Sequence, residues 1–196
     1  MTGTDSAQIV MDGFSQVVQD PQYDTGDRKI SRKANGRLCV NTKLPDEFTN
    51  MAVTADFCVW NPGLIVNTVG ARLLTASESP TGTGVAYGTD FTRSHWSLEL
   101  WTKVDGAGAC DASGNQRYFY NAWPHLADGK LGQATWGNDP TMLQVLANSF
   151  PPSTLWTAGD SWLGAGQIES GDHWLYNLTT TAPPASACII ADYPSA

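Results

Sequence analysis

Short runs of alternating hydrophobic and polar residues dominate the chain. In residues 51–60 one alternate set is apolar throughout: Met51, Val53, Ala55, Phe57 and Val59. Residues 96–103 alternate in the same way, with Trp96, Leu98 and Leu100 predicted to face inward and Trp101 falling among the polar positions. A period of two is typical of strands that bury one face. Both runs therefore predict β-strands that pack on a core.

Further strand candidates recur along the chain, separated by segments rich in Gly, Pro, Asn and Asp. The candidates are residues 37–42, 64–75, 84–88, 116–123, 162–168, 173–180 and 187–193. The turn-rich segments are residues 24–27, 61–63, 77–84, 105–115 and 151–153. Regular spacing of short strands and turns favours a sandwich or barrel.

One helix is predicted over residues 139–149. Asp139 is a suitable N-cap, and Pro140 suits the first helical position. Met142, Leu143 and Leu146 share one helical face, and two prolines follow at 151–152. The predicted fold is therefore all-β: an antiparallel β-sandwich with one short helix. We expect a single domain over residues 1–196, with residues 1–12 as a flexible N-terminal arm.

The composition adds a surplus of apolar surface to this picture. Of the 196 residues, 41% are hydrophobic and only 15% charged, and the aromatic residues include eight Trp, six Tyr and six Phe. Such a chain has ample material for a core and favours additional burial against neighbouring molecules. No apolar segment is long enough to span a membrane, and the N-terminal sequence lacks the features of an export signal. We therefore expect four reduced, mostly buried cysteines: Cys39, Cys58, Cys110 and Cys188.

The charge is strongly acidic but unevenly placed. The net charge of −8 argues against a domain that grips nucleic acid over its whole surface. Five of the 11 Lys and Arg residues nevertheless fall within ten positions: Arg28, Lys29, Arg32, Lys33 and Arg37. This cluster is either a solvated strand face or loop, or a basic patch that faces a polyanion such as RNA.

Motifs for catalysis and metal binding are missing from the sequence. The three histidines, His95, His125 and His173, form no zinc motif, and neither a nucleophile elbow nor a P-loop occurs. The acidic residues are scattered singly, so no carboxylate pair for glycoside hydrolysis is evident. Residues 111–115 (DASGN) could wrap a calcium ion, but they suit a tight turn better. We predict no enzyme activity, no cofactor and no metal.

Residues 171–190, GDHWLYNLTTTAPPASACII, resemble a known family. The stretch TAPPASACII is similar to a segment near the C-terminus of tymovirus coat proteins, where it connects the last two jelly-roll strands. The resemblance implies that the β-sandwich is a jelly roll. It also implies a structural coat protein that assembles with many copies of itself, in the host cytoplasm, into a virion around the genome. The basic cluster at residues 28–37 would then make weak contacts with viral RNA.

An alternative function is carbohydrate binding. The strands predicted over residues 36–103 resemble those of concanavalin-like or laminin-G-like modules, such as occur in phage tails. Exposed aromatic residues would then stack on sugar rings: Trp101, Trp123 and Trp136.

Overall fold

The computed structural model describes residues 9, 14–58, 61–74, 84–89, 94–134, 143–152 and 168–183. Within these ranges the chain forms ten β-strands and one α-helix. The strands are β1 (Phe14–Asp24), β2 (Arg28–Arg32), β3 (Leu38–Lys43), β4 (Glu47–Phe57), β5 (Arg72–Leu73), β6 (Val85–Ala86), β7 (Trp96–Lys103), β8 (Tyr118–Leu131), β9 (Leu143–Ser149) and β10 (Leu175–Thr179). The helix, α1, spans Pro62–Val69.

Six strands form one antiparallel sheet in the order β1-β4-β9-β8-β10, with β7 also pairing with β8. Leu126 of β8 pairs with both Trp96 and Ser149. Strand β7 therefore lies along one edge of β8, while β9 and β10 follow one another along the opposite edge. The two remaining pairs, β2–β3 and β5–β6, are small antiparallel sheets of their own. The predicted class is confirmed: the described chain is an antiparallel, sandwich-like all-β fold with one short helix.

The core lies on one face of the central strands. Val53, Ala55 and Phe57 of β4 are all buried, as their alternation predicts. One cluster joins β4 and β9 to helix α1: Ala55, Phe57, Leu64, Ile65, Val69, Ala71, Leu143 and Val145. A second cluster joins β4, β7, β8 and β9: Val53, Leu100, Trp123, Leu126 and Ala147. The predicted inward residues of β7, Trp96, Leu98 and Leu100, all belong to or pack on this second cluster.

The helix lies where the sequence pattern predicts a strand. Residues 64–75 were expected to be extended, yet Pro62–Val69 is helical. Asn61 caps the helix because its Oδ1 accepts hydrogen bonds from the amides of Gly63 (2.9 Å) and Leu64 (3.4 Å). Gly70 ends it in the left-handed conformation at φ 75°, which glycine adopts without strain. Capping at both ends outweighs the β-branched composition of the segment.

The helix predicted over residues 139–149 is wrong in its described part. Residues 143–149 form strand β9, in which Leu143, Val145, Ala147 and Ser149 are buried and the residues between them are less so. The same leucines and valine fit both a helical and an extended pattern. Pairing of β9 with β4 on one side and β8 on the other selects the extended form.

Further predictions concerned the cysteines, the first strands and the two ends of the chain. The cysteines at positions 39, 58 and 110 are free, but the prediction that they are buried is wrong, because all three are exposed. Strands β1 and β2 were not predicted, since their polar and charged residues hide the alternation. The expected N-terminal arm, except residue 9, lies outside the described residues. So do the strand candidate at 187–193 and most of the one at 162–168.

A polar contact crosses the sheet on the face opposite the helix. Asp56 is only 6% exposed, and its carboxylate accepts one hydrogen bond from Gln16 Nε2 (2.7 Å) and one from Gln144 Nε2 (2.9 Å). The three residues occupy paired positions on β1, β4 and β9. A buried carboxylate is tolerated when hydrogen bonds satisfy its oxygens. Because only this register places both glutamine amides beside Asp56, the contact helps to fix the register of the three strands.

A second buried polar contact joins β4, β9 and the segment before β10. Ser149 is fully buried; its Oγ accepts from the amide of Met51 (2.8 Å) and lies 2.8 Å from Nδ1 of His173. The His173 ring also packs edge-on against Phe48, with centroids 4.9 Å apart. Loss of water contact lowers the pKa of His173, although a backbone hydrogen bond at Ser149 and nearby Asp172 raise it in part. The folded protein therefore favours the neutral ring.

This pKa shift predicts a loss of stability in mild acid. Because the pKa of His173 lies below its ordinary value of 6.5 in the fold, the unfolded chain binds the proton first as the pH falls. The contribution of His173 to the free energy of unfolding is complete above pH 6.5. It decreases as the pH falls towards the pKa of His173 in the folded protein. We expect His173→Gln to flatten the pH dependence of the urea-unfolding free energy between about pH 7 and about pH 5. An unchanged pH dependence would show that His173 is not the group responsible.

Candidate nucleic-acid interface

The predicted basic cluster lies on a β-ribbon that continues the β1–β4 pair. The β1–β4 ladder ends at Asp24 opposite Glu47, and the β2–β3 ladder begins at Arg28 opposite Lys43. The two chain segments thus stay side by side beyond the main sheet. Every residue from 28 to 43 is exposed, and we call this segment the basic ribbon. It contributes no residue to either core cluster.

Backbone contacts fix the junction between the basic ribbon and the sheet. The Gly26 amide donates to Oδ1 of Asp46 (3.0 Å), and the Leu44 amide donates to the carbonyl of Asp27 (3.0 Å). A Cβ at position 26 would lie 2.1 Å from the Leu44 carbonyl oxygen, so the approach requires glycine. Lys43 Nζ lies 2.9 Å from Asp46 Oδ1. Hydrogen bonds from Lys43 and from the Gly26 amide lower the pKa of the Asp46 carboxyl.

The far end of the basic ribbon is a tight turn. The amide of Lys33 donates to the carbonyl of Arg37, and the amide of Gly36 donates to the carbonyl of Lys33, both at 2.8 Å. Gly36 adopts a left-handed φ of 79°, and Asn35 Oδ1 accepts from the Arg37 amide (3.1 Å). Asn-Gly is a strong hairpin signal when it lies between extended segments. The turn therefore holds Lys33 and Arg37 at the tip.

The structure brings all five predicted basic residues together and adds Lys43. Arg28 Nε donates to Asn41 Oδ1 (2.9 Å), and Arg32 Nη1 donates to the Gly36 carbonyl (3.1 Å). Among the described residues, no acceptor is found for the side chains of Lys29, Lys33 and Arg37. Arg28 and Lys29 are adjacent on a strand, so cations project from both faces of the basic ribbon. Lys43 lies too far along the sequence to belong to the cluster, and only the strand pairing brings it in.

Charge is segregated between the basic ribbon and the rest of the molecule. The segment 28–43 holds six of the 11 Lys and Arg residues and none of the 19 Asp and Glu residues, so it carries +6 and the remainder −14. Apolar side chains accompany the cations and are largely exposed: Ile30 (53%), Leu38 (53%), Val40 (43%) and, at the junction, Leu44 (50%). The surface is therefore both cationic and apolar, which suits contact with a polyanion and with another protein surface.

The other candidate sites have structural explanations. Asp111 Oδ1 accepts from the amides of Ser113 and Asn115 (both 2.8 Å), and Oδ2 accepts from Asn115 Nδ2 (2.9 Å). These hydrogen bonds lower the pKa of the Asp111 carboxyl. Residues 111–115 therefore form the tight turn that the sequence favours over a calcium loop.

Across the described ranges, no helix is long and apolar enough to cross a membrane.

Of the three aromatic residues suggested for sugar stacking, the structure describes Trp101 and Trp123. Trp123 is 3% exposed and belongs to the core, so the prediction of an exposed Trp123 is wrong. Trp101 is half-buried and packs against Tyr120, with ring centroids 4.9 Å apart. Trp136 lies outside the described residues.

Comparison of the chain with protein-family models, with curated proteins and with solved structures gives no significant match. The basic ribbon and the sheet that carries it are therefore the basis for a functional interpretation.

The side chains of Lys29 and Lys33 have no acceptor among the described residues, so both are free there to contact RNA phosphates. Lys29→Gln combined with Lys33→Gln should weaken binding to a single-stranded RNA oligonucleotide and lower the salt slope of log K by about 1.4, because two phosphate contacts are lost. The matched control, Lys103→Gln with Lys130→Gln, removes the same charge from the main sheet and should leave the slope unchanged. Fluorescence anisotropy at several salt concentrations measures both. Equal effects of the two double variants would mean that net charge alone governs binding.

Proposed function

We propose that this protein is the structural coat protein of a small virus, a jelly-roll subunit that assembles with copies of itself into a shell around the genome. The observation that carries the proposal is the basic ribbon. It is an exposed β-ribbon, both apolar and cationic, on an otherwise acidic molecule. The resemblance of residues 171–190 to tymovirus coat proteins supports the same function, although residues 184–190 lie outside the described residues.

The apolar side chains of the basic ribbon favour contact with a neighbouring subunit. A two-stranded ribbon is marginally stable in water on its own, because it has no second layer on which to bury its side chains. Ile30 and Val40 are each about half exposed and project from opposite faces, since Ile30 pairs with Asn41 while Val40 pairs with Ser31. A neighbouring subunit would cover such side chains and order the ribbon.

The main sheet offers further surface for lateral contacts. Val18 and Tyr23 of β1 are 51% and 60% exposed, and within the described chain β1 pairs only with β4. Tyr176 and Leu178 of β10 are also exposed, and within the described chain β10 pairs only with β8. Two different apolar regions on one subunit suit head-to-tail contacts, which close into rings or shells when the rotation between subunits permits.

The cations of the basic ribbon give the shell a means of contacting RNA. The ribbon charge of +6 is confined to a narrow projection, whereas the remainder carries −14 and repels phosphate. Arg28, Lys29, Arg32, Lys33 and Arg37 would neutralise phosphates of the packaged genome. With so few contacts the binding is weak and sensitive to salt, and protein–protein burial supplies most of the assembly energy.

Particle formation by a ribbon variant tests this proposal. Purified wild-type protein, with and without RNA, should elute from size-exclusion chromatography as large particles that light scattering and negative-stain microscopy show to be uniform and closed. Ile30→Thr combined with Val40→Thr should reduce particle yield, because it removes apolar contact while keeping β-branched side chains that suit a strand. Both residues are exposed and outside the core clusters, so circular dichroism and the melting temperature should match wild type.

Two results would overturn the proposal. A wild-type protein that stays monomeric at high concentration, with or without RNA, is not a self-assembling coat protein. Particles that form with full yield from the double variant would show that the basic ribbon does not mediate assembly.

A further inference from the structure

Two of the three histidines meet at one end of the paired strands β7 and β8. His95 immediately precedes β7, and His125 lies within β8, thirty residues further along the chain. Nδ1 of His95 and Nε2 of His125 are 2.8 Å apart, and the ring centroids are separated by 5.1 Å. No motif links these residues in the sequence, so only the pairing of β7 with β8 reveals the contact.

A β-bulge directs His125 towards His95. In the β7–β8 ladder, Trp96 pairs with Leu126 but Leu98 pairs with Trp123, so one residue of β7 faces two of β8, Pro124 and His125. A bulge changes the direction in which a side chain projects and often does so next to a functional site.

A backbone contact determines which nitrogen of His125 carries the proton. Nδ1 of His125 lies 3.1 Å from the carbonyl oxygen of Pro151. A carbonyl oxygen only accepts, so Nδ1 is the protonated nitrogen and, in the neutral ring, Nε2 keeps its lone pair. His95 Nδ1 must then donate the hydrogen bond that joins the two rings. A single proton thus lies between two imidazole nitrogens.

We propose that His95 Nδ1 and His125 Nε2 form a binding site for a divalent transition-metal ion of the zinc class. When His95 takes the tautomer that carries its proton on Nε2, its Nδ1 is left with a lone pair. That lone pair and the one on His125 Nε2 can then bind the same metal ion. Zinc–nitrogen bonds of about 2.0–2.1 Å in tetrahedral geometry place the nitrogens roughly 3.3 Å apart. The two nitrogens must therefore move about 0.5 Å further apart, and the rings must turn so that both lone pairs point at the metal. Imidazole is a preferred ligand of zinc, copper and nickel ions.

The surroundings fit such a site. The hydrogen bond from His125 Nδ1 to the Pro151 carbonyl is the type of outer contact that orients metal-binding histidines. His95 is exposed and His125 half-buried, so water can reach the remaining coordination positions. Within the described ranges, no group of three or more His, Cys, Asp and Glu side chains is placed to hold a metal ion. The part of the chain that the structure describes therefore supplies two ligands, His95 and His125. The site is independent of the proposed coat function.

Zinc titration of the full chain tests this inference, with His173 as the matched control. Isothermal titration calorimetry should show one Zn²⁺ ion bound per chain. His95→Gln and His125→Gln should each weaken binding by about tenfold or more, because each removes one of the two ligands. His173→Gln should leave binding unchanged, because the Nδ1 atom of His173 contacts Ser149 and not this pair.

Ring nitrogen NMR of wild-type protein gives a readout that does not depend on the variants folding. Zinc should shift the ¹⁵N signals of His95 Nδ1 and His125 Nε2 and leave those of His173 in place. No zinc binding, binding retained by both single variants, or shifts confined to His173 would each overturn the proposal.

Discussion

The pairing of β1 with β4 connects a buried half of this molecule to an exposed one. At one end of the pair, β4 carries Val53, Ala55 and Phe57 into both core clusters, and Asp56 ties β1 and β9 to it through two glutamine amides. At the other end the same two chain segments pass through the Gly26–Asp46 junction and become the basic ribbon. The register that the core imposes on β4 therefore sets the register with which the ribbon leaves the sheet.

The basic ribbon gains little from the rest of the chain. Its stabilisation comes from the β2–β3 ladder, the turn around Gly36 and the junction contacts, because it lends no side chain to the core. Hydrogen bonds exposed to water contribute modestly, so such an element is typical of regions that become ordered against a partner. Its positive charge on an acidic molecule and its half-exposed aliphatic residues fit the proposed contacts with RNA phosphate and with a neighbouring subunit.

Sequence patterns predicted the fold class, strand β7 and the inward face of β4, because period-two alternation survives wherever one face is buried. They failed where the same residues fit both a helical and an extended period. Residues 143–149 were predicted to be helical, but pairing with β4 and β8 makes them a strand. Residues 64–69 were predicted to be extended, but the caps at Asn61 and Gly70 make them helical. The basic residues of the candidate site were predictable from composition. Their arrangement was signalled only by Asn35-Gly36, and the contact between His95 and His125 had no sequence signal because a bulge creates it.

Hydrogen–deuterium exchange of the free and the assembled protein tests most directly whether the basic ribbon is the contact element. In the free subunit, amides of residues 28–43 should exchange faster than those of β4 and β9, because the ribbon is exposed along its whole length. In assembled particles we predict that exchange slows most in this segment, with little change in the core strands. Slower exchange elsewhere, with the basic ribbon as fast as in the free subunit, would contradict the account.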